Sequence, residues 1–189
     1  MSTITALEAV TIPVDEASLA GVRDAAADAA TPLLWLLHSD VTPAADALPA
    51  LLGHAPGTAV SLPVDALDRP VVPLMGRVTE SDAEGLLAGI SQRRLPLRHV
   101  PVLSLLVERE LVLSLAPPDP ARFGWYAGAE WTARLFATRR GVLVPASRVR
   151  VDACPTGSPL QVLRVARSAR WRKGETLREL HRAMTRRAS

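Results

Sequence analysis

The sequence predicts an α/β fold, a three-layer sandwich with a mostly parallel β-sheet and C-terminal helices. Its apolar content is aliphatic, with two Phe and one Tyr in 189 residues. Such a composition favours helices packed on a sheet over an aromatic-rich β-sandwich. The run Leu33–Leu37 is continuously apolar, which is typical of a strand that is covered on both faces.

Strand and helix patterns alternate in the first part of the chain. Thr3–Val14 has the alternation of a strand, and Asp15 can cap an Ala-rich helix over Glu16–Ala30. After the apolar strand Leu33–Leu37, Thr42 can cap a helix over Pro43–Gly53. Strands separated by helices pair in parallel through crossover connections, so this order predicts parallel pairing.

The same kind of pattern continues to the end of the chain. The further predicted elements are strands Thr58–Val64 and Val71–Val78, helix Asp82–Ile90, strand Val100–Val107, helix Glu108–Leu115, helix Ala127–Thr138, strand Gly141–Val151 and one or two helices over Leu160–Arg187. We therefore expect an α/β domain over residues 1–154 and a helical extension over residues 155–189 that packs on it.

Charge is distributed unevenly along the chain. Residues 160–189 carry nine Lys or Arg and two acidic residues, a net charge of +7, whereas residues 1–159 carry −4. Packing of the basic helices on the domain is the preferred interpretation, and an anionic membrane surface is the alternative. Nucleic acid is a weaker candidate because no recognition motif accompanies the charge.

The sequence also restricts the cellular compartment. It has no apolar run of about 20 residues that could span a bilayer, and its N-terminus lacks the pattern of a secretion signal. A lone cysteine, Cys154, cannot form an internal disulfide and fits a reducing compartment. We expect a cytoplasmic protein, which could reach a membrane through a partner or a surface contact.

One buried strand ends in polar residues that could carry chemistry. Leu33–Leu37 leads directly into His38, Ser39 and Asp40. In an open α/β sheet, ligands bind in the crevice beyond the carboxyl ends of the strands. These side chains are therefore candidates for a binding site, although Asp40 could instead only help turn the chain into the next helix.

The segment LLWLLHSDVTPAADALPALL, residues 33–52, resembles the metal-binding strand and following helix of family 2 glycosyltransferases of the GT-A fold. In that family an apolar strand ends in an acidic cluster, and a Pro opens the next helix. The resemblance implies a reduced GT-A-like fold. It also implies a divalent cation, Mn²⁺ or Mg²⁺, that bridges the diphosphate of a nucleotide-sugar donor.

A second segment, residues 119–151, resembles the acceptor side of the same family. Its matching positions are Phe123, Trp125, Glu130, Arg134, Gly141 and Pro145. Together the two segments extend the resemblance over residues ~30–151, in the family's order. The resemblance implies cofactor-binding roles for His38, Ser39, Asp40 and Trp125.

Several positions depart from the family pattern. His38 and Ser39 replace two positions of the acidic cluster, so that Asp40 and His38 remain as the metal-ligand candidates. The family's adjacent Asp-Asp, which supplies the base for the acceptor hydroxyl, corresponds to Ala127 and Gly128. Glu130 is the nearby substitute for the catalytic base.

These departures suggest a glycosyltransferase-like protein with impaired catalysis, acting as a partner or regulatory subunit of a larger glycosyltransferase or pathway protein. If the chain is such a pseudoenzyme, it needs no cofactor. The alternative is an active inverting transferase that uses a nucleotide sugar and Mn²⁺ or Mg²⁺. A second alternative is a small interaction module that inherited the fold.

Overall fold

Buried aliphatic strands form one β-sheet. The computed structural model describes residues 8–15, 17–55, 57–71, 85, 96–152 and 158–185. Within them the sheet has seven strands in the order β1–β2–β6–β4–β7–β3, and β5 pairs with β7. The strands are β1 (Ala9–Val14), β2 (Leu33–His38), β3 (Val41–Pro43), β4 (Thr58–Val64), β5 (Pro96–Leu97), β6 (Ser104–Glu108) and β7 (Gly141–Val151).

Strand directions in this sheet are mixed. β1 pairs with β2 in parallel, and so does β4 with β7. The four other pairings among the described strands are antiparallel, because β6 runs antiparallel between β2 and β4, and β3 and β5 run antiparallel to β7. The predicted α/β class is confirmed, and the sheet is mixed, with β1, β2, β4 and β7 in one direction and β3, β5 and β6 in the other. A continuous apolar run indicates burial on both faces but not the direction of the neighbouring strand.

The helices cover both faces of the sheet. They are α1 (Val22–Asp28), α2 (Ala47–Leu52), α3 (Arg109–Ser114), α4 (Pro120–Phe123), α5 (Ala127–Thr138), α6 (Pro159–Ser168) and α7 (Lys173–Thr185), with 3₁₀ turns at Ser18–Gly21 and Gly124–Tyr126.

Successive residues of β2 point into two different cores. Leu34 and Leu36 belong to the larger core, which also contains residues of α1, α5 and α6. Leu33 and Trp35 belong to a smaller core beneath α2. Full burial of one such leucine contributes about 2 kcal/mol. The continuous apolar run of β2 therefore reflects burial on both faces, as predicted.

Several predicted boundaries agree with the structure. The helix Ala127–Thr138 and the strand Gly141–Val151 have the predicted limits, and β2 extends the predicted strand by one residue. The basic segment after residue 158 forms two helices. Most of the predicted strand Val71–Val78 and helix Asp82–Ile90 lies outside the described residues.

Two predicted helix starts are wrong. Pro43 does not open a helix, because the backbone of β3 pairs with β7, and α2 begins at Ala47. Asp15 does accept a hydrogen bond from the backbone N–H of Ser18, but the chain first makes a 3₁₀ turn and α1 begins at Val22. Pairing with a distant strand decided the first case, and local turn geometry decided the second.

The two C-terminal helices contribute to the larger core. Ser158 and Gln161 form a reciprocal capping box at the start of α6, which satisfies two backbone N–H groups of the first turn. Val162 and Val165 of α6 and Ala183 of α7 are buried in that core. None of the helices in the described part of the chain has the length and apolarity needed to traverse a bilayer.

Candidate functional site

The carboxyl ends of two parallel strands lie side by side. β1 and β2 pair so that Val14 lies opposite His38, and the backbone N–H of Ser39 donates to the Val14 carbonyl at 2.9 Å. Asp15 therefore follows β1 at the edge where His38, Ser39 and Asp40 follow β2. This is the edge at which ligands bind in open α/β sheets.

A narrow cleft opens at this edge. Its lining residues are Val14, Asp15, Leu19, His38, Val102, Gly124, Trp125 and Gly128. The cleft has a volume of about 10 Å³, which is close to the space that a single water molecule requires. As the described residues line it, the cleft has room for a water-sized group.

His38 is the most buried polar group in the lining of this cleft. Its ring meets the indole of Trp125 edge-on, with 5.7 Å between the ring centroids. Its Nδ1 accepts a hydrogen bond from the backbone N–H of Asp40 at 3.2 Å, so in the neutral imidazole the hydrogen resides on Nε2. That Nε2 is buried and has no hydrogen-bond partner among the described residues.

Asp40 follows His38 by two residues at the same edge of the sheet and faces solvent. Its carboxylate is 70% exposed and lies 3.9 Å from Nδ1 of His38. The Ser39 hydroxyl approaches the same carboxylate at 3.5 Å, a long distance for such a bond. The structure thus brings together four predicted site residues, namely His38, Ser39, Asp40 and Trp125.

Gly128 also lines this cleft, at the start of α5. A Cβ atom at this position would lie 3.0 Å from the backbone nitrogen of Val102 and 3.1 Å from its Cγ2 atom. Ordinary carbon contacts are about 3.5 Å or longer. A side chain at residue 128 would therefore be packed tightly against the segment around Val102.

Glu130 lies two residues further along α5, in a separate network. Successive helical residues are rotated by about 100°, so residue 130 points away from the face that Gly128 presents to the cleft. The Oε2 atom of Glu130 accepts from Nε and Nη2 of Arg134 at 3.1 and 3.0 Å. The Ser168 hydroxyl of α6 donates to Oε1 at 3.0 Å.

Arg134 extends this network to the loop before α4. Its Nη1 donates to the Ala116 carbonyl at 2.9 Å, and its Nη2 also reaches the Pro117 carbonyl. Glu130 and Arg134 thus connect three segments of the fold. Of the contacts among the described residues, none joins Glu130 to His38, Asp40 or Trp125.

Asp15 is a cleft residue that sequence reasoning did not propose. Hydrogen bonds from the backbone N–H and the side chain of Ser18 hold the pKa of the Asp15 carboxyl below its usual value, and the nearby His38 lowers it further. The parallel pairing of β1 with β2 could have identified it, because Asp15 follows one strand where His38 ends the other.

The ligands available here do not fit a resident divalent cation. Mg²⁺ and Mn²⁺ prefer several oxygen ligands in octahedral geometry. One nitrogen of His38 already accepts a hydrogen bond, Asp40 supplies an exposed carboxylate, and the Asp15 carboxylate already accepts a hydrogen bond from Ser18. Within the described ranges, no group of three or more His, Cys, Asp or Glu is placed to hold a metal ion.

Comparison with known proteins identifies the fold. No protein-family model and no curated protein sequence matches the chain. A solved structure of GalNAc-T7 with UDP, GalNAc and Mn²⁺ is similar, with a TM-score of 0.51 and 16% sequence identity. The similarity covers 79% of the present chain and 34% of the GalNAc-T7 chain. The present chain therefore spans about a third of the length of the GalNAc-T7 chain. GalNAc-T7 is a glycosyltransferase of the GT-A fold, and the present chain has a reduced GT-A-like fold.

Proposed function

We propose that the chain is a family 2 type glycosyltransferase-like protein that has lost catalysis and acts as a partner or regulatory subunit in a glycosylation pathway. The observation that carries this proposal is the contact between Gly128 and Val102. Gly128 corresponds to a position of the family's catalytic base, and it lines the same cleft as His38. A side chain there would require the Val102 segment to shift by a few tenths of an ångström.

Glu130 is poorly suited to replace that base. A general base must reach the hydroxyl from which it takes a proton and must have an oxygen free to accept it. Both carboxylate oxygens of Glu130 already accept hydrogen bonds, one of them from a guanidinium group. Those bonds are the ones expected of a residue that joins α5 to α6 and to the preceding loop.

The size of the cleft supports the same proposal. Small-molecule sites usually occupy several hundred Å³, whereas the cleft beside His38 holds about 10 Å³. On this proposal the chain keeps the fold and contributes to the pathway by contact with another protein. A larger glycosyltransferase or another pathway protein is the expected partner.

An active inverting transferase is the alternative. It is favoured by the position of Asp15 and Asp40 beside His38, whose Nε2 has no partner in the described part of the chain. On that hypothesis a nucleotide sugar would arrive with its own Mn²⁺ or Mg²⁺ and would open the cleft, and Glu130 would have to leave Arg134 to act near the acceptor.

Thermal unfolding with nucleotide sugars separates the two hypotheses. UDP- and GDP-sugars are added to the full chain with and without Mn²⁺. A ligand at about 100 times its Kd adds ~2.7 kcal/mol of stability, which raises Tm by about 5–10 °C for a chain of this size. We expect no such increase for any of these ligands.

The matched variants are Asp40→Asn and Asp28→Asn, the second of which changes an exposed carboxylate at the end of α1. A Mn²⁺-dependent increase in Tm that Asp40→Asn abolishes and Asp28→Asn retains would establish the active transferase instead. The partner role is tested by affinity purification of the tagged chain from its own cells. Recovery of the chain alone, with no pathway protein, would contradict that role.

A further inference from the structure

Large apolar side chains are exposed on the two C-terminal helices. Leu160 and Leu163 of α6 and Leu177 and Met184 of α7 are each more than half exposed. They make up four of the six exposed large hydrophobic residues in the described part of the chain. We call the outward faces of α6 and α7 that carry these four residues the C-terminal surface.

Each helix has one buried face and one exposed face. On α6, Val162 and Val165 enter the core, whereas Leu160, Leu163 and Arg167 follow the spacing of the exposed face. On α7, Ala183 is buried, and Leu177 and Met184 are seven residues apart on the exposed side. The exposed leucines are thus not needed to attach the helices to the domain.

The same helices are strongly basic. Residues 158–185 contain seven Lys or Arg and two Glu. One of those glutamates, Glu179, is buried and paired with Arg182 at 3.2 Å, so these two charges largely cancel each other. The basic residues that remain on α6 and in the turn after it include Arg167 and Arg170, both of which are exposed.

We propose that the C-terminal surface binds an anionic lipid bilayer, with its four large apolar side chains at the level of the acyl chains and its arginines among the headgroup phosphates. Helices that lie in the membrane interface combine these two features, an apolar side and many basic residues beside it. Guanidinium groups match phosphate geometry through paired hydrogen bonds. The inference goes beyond the proposed function and does not depend on it.

Charge distinguishes a lipid surface from a protein partner. Arginines lie directly beside the exposed leucines of α6 and in the turn after it, and a layer of acidic headgroups can pair with all of them at once. Nucleic acid would pair with the arginines, but it would leave Leu160, Leu163, Leu177 and Met184 in water. A bilayer with acidic headgroups can bury the apolar side chains among its acyl chains and pair the arginines with its phosphates.

Vesicle flotation of the full chain tests the proposal. Vesicles of phosphatidylglycerol and phosphatidylcholine in equal parts are compared with vesicles of phosphatidylcholine alone. We expect binding to the acidic vesicles that is at least ~10-fold stronger and that weakens with added salt. Equal binding to both kinds of vesicle, or no binding to either, would overturn the proposal.

Substitutions assign the binding to this surface. The double variant Leu160→Ser and Leu163→Ser should lose about 10-fold or more in vesicle binding. Leu67→Ser, which changes an exposed leucine of another surface, should leave binding unchanged. The double variant Arg167→Gln and Arg170→Gln should lose binding to acidic vesicles by about fivefold for each charge, whereas the exposed Arg23→Gln serves as its control. If Leu67→Ser were as harmful as the leucine pair, the proposal would be wrong.

Two further measurements address other occupants. Light scattering after size-exclusion chromatography determines whether Leu160→Ser and Leu163→Ser dissolve an oligomer, which would make the surface a contact between copies. Fluorescence anisotropy with a labelled RNA oligonucleotide determines whether the chain prefers nucleic acid. We expect a monomeric state that the variants do not alter, and RNA binding that is weaker than vesicle binding. The opposite result in either measurement contradicts the lipid assignment.

Discussion

The hydroxyl oxygens of Ser61 and Ser147 lie 2.7 Å apart in the middle of a buried chain of hydrogen bonds across the sheet. Ser147 donates its single hydrogen to the Ala47 carbonyl, so Ser61 must donate to Ser147. Ser104 then donates to Ser61 and accepts from the indole N–H of Trp35. Each of these three serine hydroxyls donates one hydrogen bond and accepts one, so that the donors run in a single direction from Trp35 to the Ala47 carbonyl.

Removal of the central hydroxyl should destabilise the fold. Ser61→Ala leaves the Ser104 hydroxyl without an acceptor and Ser147 without a donor, both in a buried position. We expect a loss of about 2 kcal/mol in the free energy of unfolding, because buried groups that lose their partner bear the cost of desolvation. Urea denaturation measures the loss. The exposed Ser39→Ala should stay within about 0.5 kcal/mol of the wild type, and an equal effect of both variants would refute the interpretation.

Glu130→Gln tests whether this carboxylate is structural. The substitution keeps the shape of the side chain but removes the charge that faces Arg134, whose guanidinium is partly buried. We expect a loss of about 1–3 kcal/mol in the free energy of unfolding, since a largely buried ion pair is broken. Thermal and urea unfolding provide the measurement.

The matched control for this change is Glu110→Gln. Glu110 also pairs with an arginine, Arg109, at 3.2 Å, but its side chain is 82% exposed. Exposed pairs contribute 1 kcal/mol or less, so the control should lose about 0.5 kcal/mol at most. If both variants were equally stable, Glu130 would have no structural role, and the case for a catalytic one would strengthen.

The ionisation of Asp65 should make the free energy of unfolding depend on pH, with a sign that follows from its lowered pKa. Its pKa lies below the usual 3.8 because the side chain of Arg69 and the backbone N–H groups of Arg69 and Leu67 donate hydrogen bonds to the carboxylate. A lowered folded-state pKa means that the stabilisation is complete above pH 3.8 and is lost as the pH falls through the folded-state value. The stability difference between wild type and Asp65→Asn should therefore be constant near neutral pH and shrink in acid. Urea denaturation at a series of pH values tests this, and a difference that grows in acid would contradict it.

The elements predicted best are those with a strong local pattern. α5 and β7 have the predicted limits, and β2 differs by one residue, because hydrophobic periodicity and the Gly at residue 141 are properties of the segment itself. β3 was missed because three residues, Val41–Pro43, become a strand only through pairing with the far end of β7. The direction of β6 likewise depends on its neighbours in the sheet and not on its own side chains.

The candidate site was predicted only in part, because some of its residues follow from a local pattern and others depend on long-range packing. His38, Ser39 and Asp40 follow directly from the end of an apolar strand, and the structure places Trp125 against His38. The sequence pattern around Asp15 predicted a helix cap, and Asp15 does accept a hydrogen bond from the Ser18 N–H. That pattern gave no indication that Asp15 also lines the cleft with His38. The closeness of Gly128 to Val102 is a packing distance, which no sequence pattern specifies.

A methyl group added at residue 128 tests how tightly the cleft is closed. Gly128→Ala should lower the free energy of unfolding by about 1–3 kcal/mol, because the new Cβ would lie 3.0 Å from the Val102 backbone and the surrounding core must shift. Gly174→Ala is the matched control. Gly174 lies in α7 with no neighbouring atom within 4 Å of such a Cβ, so the better helix propensity of alanine should raise stability by up to about 1 kcal/mol. Opposite signs for the two substitutions in urea denaturation are the expected result. If Gly128→Ala were neutral or stabilising, the wall of the cleft would have room for a side chain, and the main support for lost catalysis would fail.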